Sequence, residues 1–335
     1  LNHFKPEELS KEIKKLKLDP PLNYADSHSI ANEWAIYRWA LSIKANDTYI
    51  EKVTQKVNSQ IYFKYLQTVY PKSEAKLPTD DQLKINYTGT PKILYIDDEA
   101  DKGWYEIFCN LLYDRNGISF EHLDDEFNSK TQDQIINICI EKIKVDDIDL
   151  VILDFRLHIN DFSNKNIGEV TGLQLLKTIK EWNPGIQVII FTASNKVWNL
   201  LELQANGSNG FLLKESPELT VNSSYTFESI ISLSKQIEFC FSNIYLKEVW
   251  KVIEEIRKLF SANPLTRYYP NDLRSLRGIQ YQNLLLLELD SMYNILNSED
   301  ENRLSYAMLI QFKILECIVE IFIPGKSKRW KLVIL

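Results

Sequence analysis

The chain has 335 residues, 44% hydrophobic and 25% charged, which describes a globular protein with material for two or three domains. A net charge of −7 gives no general pull toward nucleic acid or anionic lipid, and four scattered cysteines offer no compact metal-ligand spacing. No signal peptide and no run near the ~18 apolar residues of a membrane span is present, so the expected location is cytoplasmic.

Residues 1–70 are expected to be all-helical. Pro6 suits a first helical turn, followed by Glu7, Glu8, Leu9, Ile13 and Leu16, and Asp19-Pro20-Pro21 stops the helix. A second helix starting near Asp26 or Ser27 carries Ile30, Trp34, Tyr37 and Leu41 on one side, with Trp39 pointing elsewhere. Thr48 and Glu51 have capping-box spacing and open a third helix running to about Val69, before Pro71. The polar stretch 71–90, with Pro71 and Pro78, reads as a linker.

From 91 to 214, short apolar runs alternate with helical stretches. That order predicts an α/β domain, a doubly wound five-stranded parallel sheet, flanked by all-helical N- and C-terminal regions. Strands are expected at 93–96, 118–123, 150–153, 188–191 and 210–213, with helices near 102–113, 131–143, 171–182 and 196–206. Cys139 falls in a helical pattern among apolar neighbours and reads as a core thiol.

Phe227 to Phe260 contains neither Gly nor Pro. Ile230, Leu233, Ile237, Cys240 and Ile244 follow an a/d-like seam that then shifts register to Val249, Ile253, Ile256 and Phe260. Two helices packing on local cores account for this better than a dimeric coiled coil, because the seam is short. Two further helices, 272–297 and 301–322, are split by Asn297-Ser298-Glu299-Asp300.

Four of the apolar runs end on polar, reactive residues. Asp97-Asp98-Glu99 follow the first, Asp154 another, Thr192 the next and Lys214 the last. Ligand-binding residues in open α/β sheets gather at the carboxyl ends of the strands. Side by side, these groups suit phosphoryl transfer with a divalent metal. Asp154 stands alone as a nucleophile, and the hard oxygens of Asp97 and Asp98 suit Mg²⁺ (or Mn²⁺). The Thr192 hydroxyl and Lys214 ammonium can meet phosphoryl oxygens, and three close carboxylates need a cation to offset their repulsion.

The segments ILYIDDE (93–99), LVILDF (150–155), GLQLLKTIKEWNPGIQVIIFTA (172–193) and GFLLKES (210–216) resemble the flavodoxin-like (CheY-like) receiver domain of bacterial response regulators. The resemblance covers a little over a third of the chain. It implies Asp154 as phospho-acceptor, Asp97, Asp98 and the Arg156 backbone carbonyl as metal ligands, and Thr192 and Lys214 as switch donors. Phe211 falls where that family carries its rotating aromatic. Arg156 and Ser194 occupy the positions that tune phosphate hydrolysis there. Three departures stand out. Glu215 follows Lys214 where the family has proline, with Pro217 two residues late. The stretch 157–171 is long enough to form a lid or a partner contact, and the spacing from Asp98 to Asp154 is extended through the acidic 124–133 loop.

The expected organisation is a helical region at 1–70, a linker at 71–90, a receiver at 91–220 and a helical output or dimerisation region at 226–335. The expected function is a response-regulator-type signalling protein. It accepts phosphate from a histidine kinase or phosphotransfer protein and switches a protein partner, or a second copy of itself, through its helices. The alternative is a phosphorylation-independent scaffold. No histidine sits in a kinase-like helix, no glycine-rich nucleotide loop is present, and 226–335 contain neither histidine nor metal-ligand spacing, which disfavours an enzymatic output. The region after the receiver lacks a helix-turn-helix pattern, which disfavours DNA. His158 in its polar loop, and the basic 325–331 stretch, read as solvated surface.

Overall fold

A computed structural model describes residues 6–16, 18–19, 27–69, 77–123, 127–162, 167–193, 203–217, 219, 224–262, 273–298 and 300–322. Five strands form one parallel sheet: β1 Lys92–Ile96, β2 Ser119–Leu123, β3 Leu150–Leu153, β4 Gln187–Thr192 and β5 Gly210–Leu213, in the order β2-β1-β3-β4-β5. This is a doubly wound order whose direction reverses between β1 and β3, opening a crevice at the carboxyl edge. The strands are apolar runs because helices cover both sheet faces; every residue of β3 and β4 is buried. Ile93 pairs with Leu150, Leu150 with Gln187 and Ile189 with Gly210, which aligns the strand ends.

On one face, helices α7 (Gln132–Val145) and α8 (Thr171–Trp182) bury Ile135, Cys139, Leu173 and Leu176 against Leu94, Val151 and Val188. Cys139 is therefore a core thiol. On the other face, residues 100–114 are helical but wound unevenly. Two π-turns, Ala100–Trp104 and Cys109–Asp114, flank the single α-turn α6, Tyr105–Phe108. Gly103 makes the kink, with φ of 105°; a Cβ there would stand 2.7 Å from Ile36 Cδ1. Helix Tyr225–Phe241 also packs on β4 and β5 and lies in the same compact unit as the sheet. Of the helix expected at 196–206, only 203–206 lie among the described residues; 203–205 are helical and 206 is in a turn.

The N-terminal helices α1 (Pro6–Lys15), α2 (Ser27–Ile43), α3 (Thr48–Ser59) and α4 (Ile61–Val69) belong to this unit as well. Helix α2 is buried on every side from Trp34 to Ala40, so it has little amphipathic stripe. Ile30, Trp34 and Tyr37 are buried as expected, whereas Leu41 is 41% exposed. Trp39 does meet another element: its ring lies 5.3 Å from Trp104 and 6.1 Å from Phe191, centroid to centroid. The expected Thr48/Glu51 capping box does not form. Thr48 is instead the first helical residue and Asp47 is the cap, its carboxylate accepting from the Tyr49 amide at 2.7 Å. Gln60 is extended and divides the expected single helix in two. Buried Val57 and Phe63 would lie roughly 120° apart on a continuous helix, and the break turns both inward. Within 77–90, helix α5 (Asp80–Leu83) is capped reciprocally by Thr79 and Gln82, and Asn116 holds the Ile85 amide at 2.9 Å.

The second unit comprises residues 183–185 and 243–335. With Tyr225–Phe241 numbered α9, its helices are α10 (Tyr245–Ala262), α11 (Leu273–Leu296) and α12 (Arg303–Phe322). The register shift read in the sequence is the gap between α9 and α10, and each helix packs on its own core. Leu246, Ile253, Leu285, Leu289, Ile310 and Ile314 are central to the second core. The outer side of α12 leaves Leu304, Met308, Phe312 and Leu315 at least half exposed. Among the described residues, no helix is long and apolar enough to cross a membrane.

Candidate functional site

The backbone ladder runs one residue past each central strand and places the reactive residues on one edge. The Asp154 amide donates to the Ile96 carbonyl at 2.9 Å, and the Lys214 amide to the Thr192 carbonyl at 2.7 Å. Gly172 opens α8 directly behind this edge; a Cβ there would come within 2.6 Å of the Asp154 carbonyl oxygen, so only glycine permits the approach.

Five residues expected from the sequence converge. Asp97, Asp98 and Asp154 each offer an oxygen, all within 4.8 Å of one another. Lys214 Nζ lies 2.5 Å from Asp97 Oδ2 and 3.9 Å from Asp154 Oδ2. The buried Thr192 hydroxyl hydrogen-bonds Asp154, whose Oδ1 also accepts the Phe155 amide at 2.8 Å. Asp97 and Thr192 are buried and Asp98 is half-buried. Arg156 is half-buried two residues beyond Asp154, and Phe211 is half-buried against the α7/α8 core. Ser194 lies outside the described residues.

Burial, then repulsion from Asp154 and Asp97, pushes the Asp98 carboxyl up to about 8. Burial likewise raises Asp154, against the opposing pull of Lys214. Burial lowers Lys214, but Asp154 and Asp97 outweigh it and hold the ammonium above its ordinary range. Three oxygen-donor carboxylates crowded together beside the Lys214 ammonium fit a hard divalent cation.

Several participants escaped the sequence reading. Tyr95, read only as part of an apolar strand, donates its hydroxyl to Asp97 Oδ2 at 2.5 Å. Its position two residues before Asp97 puts both on one side of an extended chain, and that spacing was a usable signal. Lys214 Nζ also lies 5.6 Å above the centre of the Phe191 ring. Glu215, the residue in place of proline, turns into the interior and pairs with Arg38 at 2.7 Å. Burial raises the Glu215 carboxyl to about 7, while Arg38 and Thr226 draw it back. An arginine set among Trp34, Tyr37 and Trp39 was itself the hint that a buried acid must face it.

The long 157–171 stretch is organised by Asp161, which is 3% exposed. Its Oδ2 accepts from the Leu157 and His158 amides, both at 3.0 Å. Its Oδ1 accepts from the Thr171 amide (3.1 Å), the Thr171 hydroxyl (3.0 Å) and Gln132 Nε2 (3.0 Å). Both ends of the stretch are thus drawn onto one carboxylate beside the N-terminus of α7. His158 is half-buried, its Nδ1 accepting from the Asn160 amide at 3.2 Å.

No protein-family model and no curated protein matches the chain. Among solved structures, it is similar to a two-component response regulator from Clostridium difficile, with 23% identity over 37% of this chain and 84% of that one and a TM-score of 0.27. A response regulator receiver domain protein from Clostridium thermocellum shows 21% identity over 47% of this chain and 98% of its own, with a TM-score of 0.32. The receiver domain of Francisella response regulator 1452 shows 22% identity over 42% and 98%, with a TM-score of 0.27. These likenesses concern fold, and the fold of this chain rests on its own strand order.

Proposed function

We propose that residues 91–220 act as a response-regulator-type receiver that takes a phosphoryl group on Asp154. The observation that carries this reading is the convergence of Asp97, Asp98, Asp154, Thr192 and Lys214 on one sheet edge, with Lys214 placed between two of the carboxylates. The Phe155 amide anchors Asp154 Oδ1, so the other oxygen attacks phosphorus. A P–O bond forms there, and the donor's leaving group departs with its electron pair. Asp97, Asp98 and the Arg156 carbonyl would hold Mg²⁺ (or Mn²⁺), which supplies charge neutralisation at the phosphoryl oxygens. Thr192 and Lys214 then donate to those oxygens, and Lys214 leaves Asp97 to do so.

The phosphoryl donor in this reading is a histidine kinase or phosphotransfer protein. The output is protein contact through the helical regions, for which the exposed Leu304, Met308, Phe312 and Leu315 on α12 offer an apolar surface. The chain itself catalyses nothing beyond its own phosphorylation and dephosphorylation. Incubation with a small-molecule phosphodonor and Mg²⁺ is expected to give acid-labile phosphate on the wild type and none on Asp154→Asn. Equal labelling of the two proteins overturns the acceptor assignment, and no labelling of either leaves a phosphorylation-independent docking module.

A further inference from the structure

Two consecutive residues of α2 support Lys214 from different directions. Arg38 Nε donates to Glu215 Oε1 at 2.7 Å and to Thr226 Oγ1 at 3.0 Å, and the Thr226 hydroxyl donates to the same Glu215 oxygen at 2.9 Å. None of the Glu215 side chain is exposed. The neighbouring Trp39 packs edge-on against Phe191, the ring over which the Lys214 ammonium lies.

Lys214 needs such support. Its amide makes the last strand hydrogen bond, to Thr192, and residues 214–216 have left the sheet. The side chain is a flexible stem that must deliver its ammonium between Asp97 and Asp154. Successive side chains of an extended segment alternate, so Lys214 faces the carboxylates while Glu215 faces α2 and α9. The clamp on Glu215 therefore fixes the backbone from which Lys214 projects, and the aromatic stack sets the floor beneath its ammonium.

We propose that Arg38, through Glu215, and Trp39, through Phe191, are positioning residues for Lys214, so that helix α2 sets how well the site receives a phosphoryl group. The metal-binding carboxylates are placed separately, by β1 and β3. This rests on the phosphoryl-acceptor reading above, and it predicts a split between two ligands that share one site.

The test is calorimetric titration of the full chain with Mg²⁺ alone, then with beryllofluoride at saturating Mg²⁺. Arg38→Met combined with Glu215→Met replaces the ion pair by apolar side chains without stranding a buried charge. The double variant is expected to bind Mg²⁺ at least as tightly as the wild type, because Lys214, paired with Asp97, competes with the metal for the carboxylates. Beryllofluoride affinity should fall roughly 10- to 100-fold, the scale set by a displacement of about 1 Å in a positioned group. Lys214→Ala should lose at least as much. Trp39→Phe leaves the ion pair in place, covers the case in which the double variant does not fold, and should show the same split to a smaller degree. Wild-type beryllofluoride binding in these variants, or a parallel loss of Mg²⁺ affinity, overturns the positioning role while leaving the acceptor reading intact. Absence of beryllofluoride binding in the wild type overturns both.

Discussion

Asp98→Asn should stabilise the metal-free protein. In the unfolded chain Asp98 ionises near 3.8, whereas in the folded site burial and the neighbouring carboxylates raise it to about 8. Between those values the folded protein keeps a proton that the unfolded chain has released. Its contribution to stability is thus full below about pH 3.8 and is lost as pH rises through about 8. The interval from 3.8 to pH 7, at 1.36 kcal/mol per unit, comes to about 4 kcal/mol. For a unit of this size that corresponds to roughly 10 °C in melting temperature. Calorimetry in EDTA at pH 4, 5, 6, 7 and 8 should show wild type and Asp98→Asn together at pH 4 and diverging upward, the variant the more stable. Mg²⁺ should raise the wild-type curve most at high pH, where it pairs ionised carboxylates, and should raise the variant far less. Superimposed curves at pH 7 without metal would refute the claim that these carboxylates crowd one another.

Two further outcomes follow from individual hydrogen bonds. Tyr95→Phe removes a buried donor from Asp97 Oδ2 and should cost about 1.5–3 kcal/mol of stability, measured by urea unfolding at pH 7 with EDTA; no loss would mean that the bond contributes nothing. Asp161→Asn replaces a carboxylate that accepts from Leu157, His158, Thr171 and Gln132, and should make the 157–171 segment a new site of cleavage in limited proteolysis. An unchanged cleavage pattern would count against Asp161 as its organiser.

What the sequence disclosed and what it withheld have physical causes. The central strands were legible because burial on both faces demands unbroken apolar runs, and the polar residue ending each run marks the open edge. Thr192 and Lys214 could be placed beside Asp154 on that logic alone. The part played by α2 was not legible. A stripe read on one side of α2 does not reveal that its other sides are buried too, and Arg38 finds Glu215 177 positions along the sequence. Tyr95 was hidden by its ring, which counts as apolar while its hydroxyl reaches Asp97. The uneven winding at 100–114 depends on Gly103 and on close contact with Ile36 and Tyr49, neither of which has a periodic signature.

The burial of α2 also bears on how the protein is made. Trp34 and Trp39 are almost inaccessible in the finished molecule, yet they are synthesised long before Phe191, Glu215 and Thr226. At about 5–20 residues per second, the 177 steps from Arg38 to Glu215 take roughly 10–35 s. Until the strands have been made and paired, an aromatic-rich helix has no complete sheet to dock on. Its sealing is a long-range event of the kind that slows folding and leaves apolar surface open to other chains. An element that helps to close the first unit is thus made well before its last partners, which makes the nascent α2 segment a natural client for a chaperone.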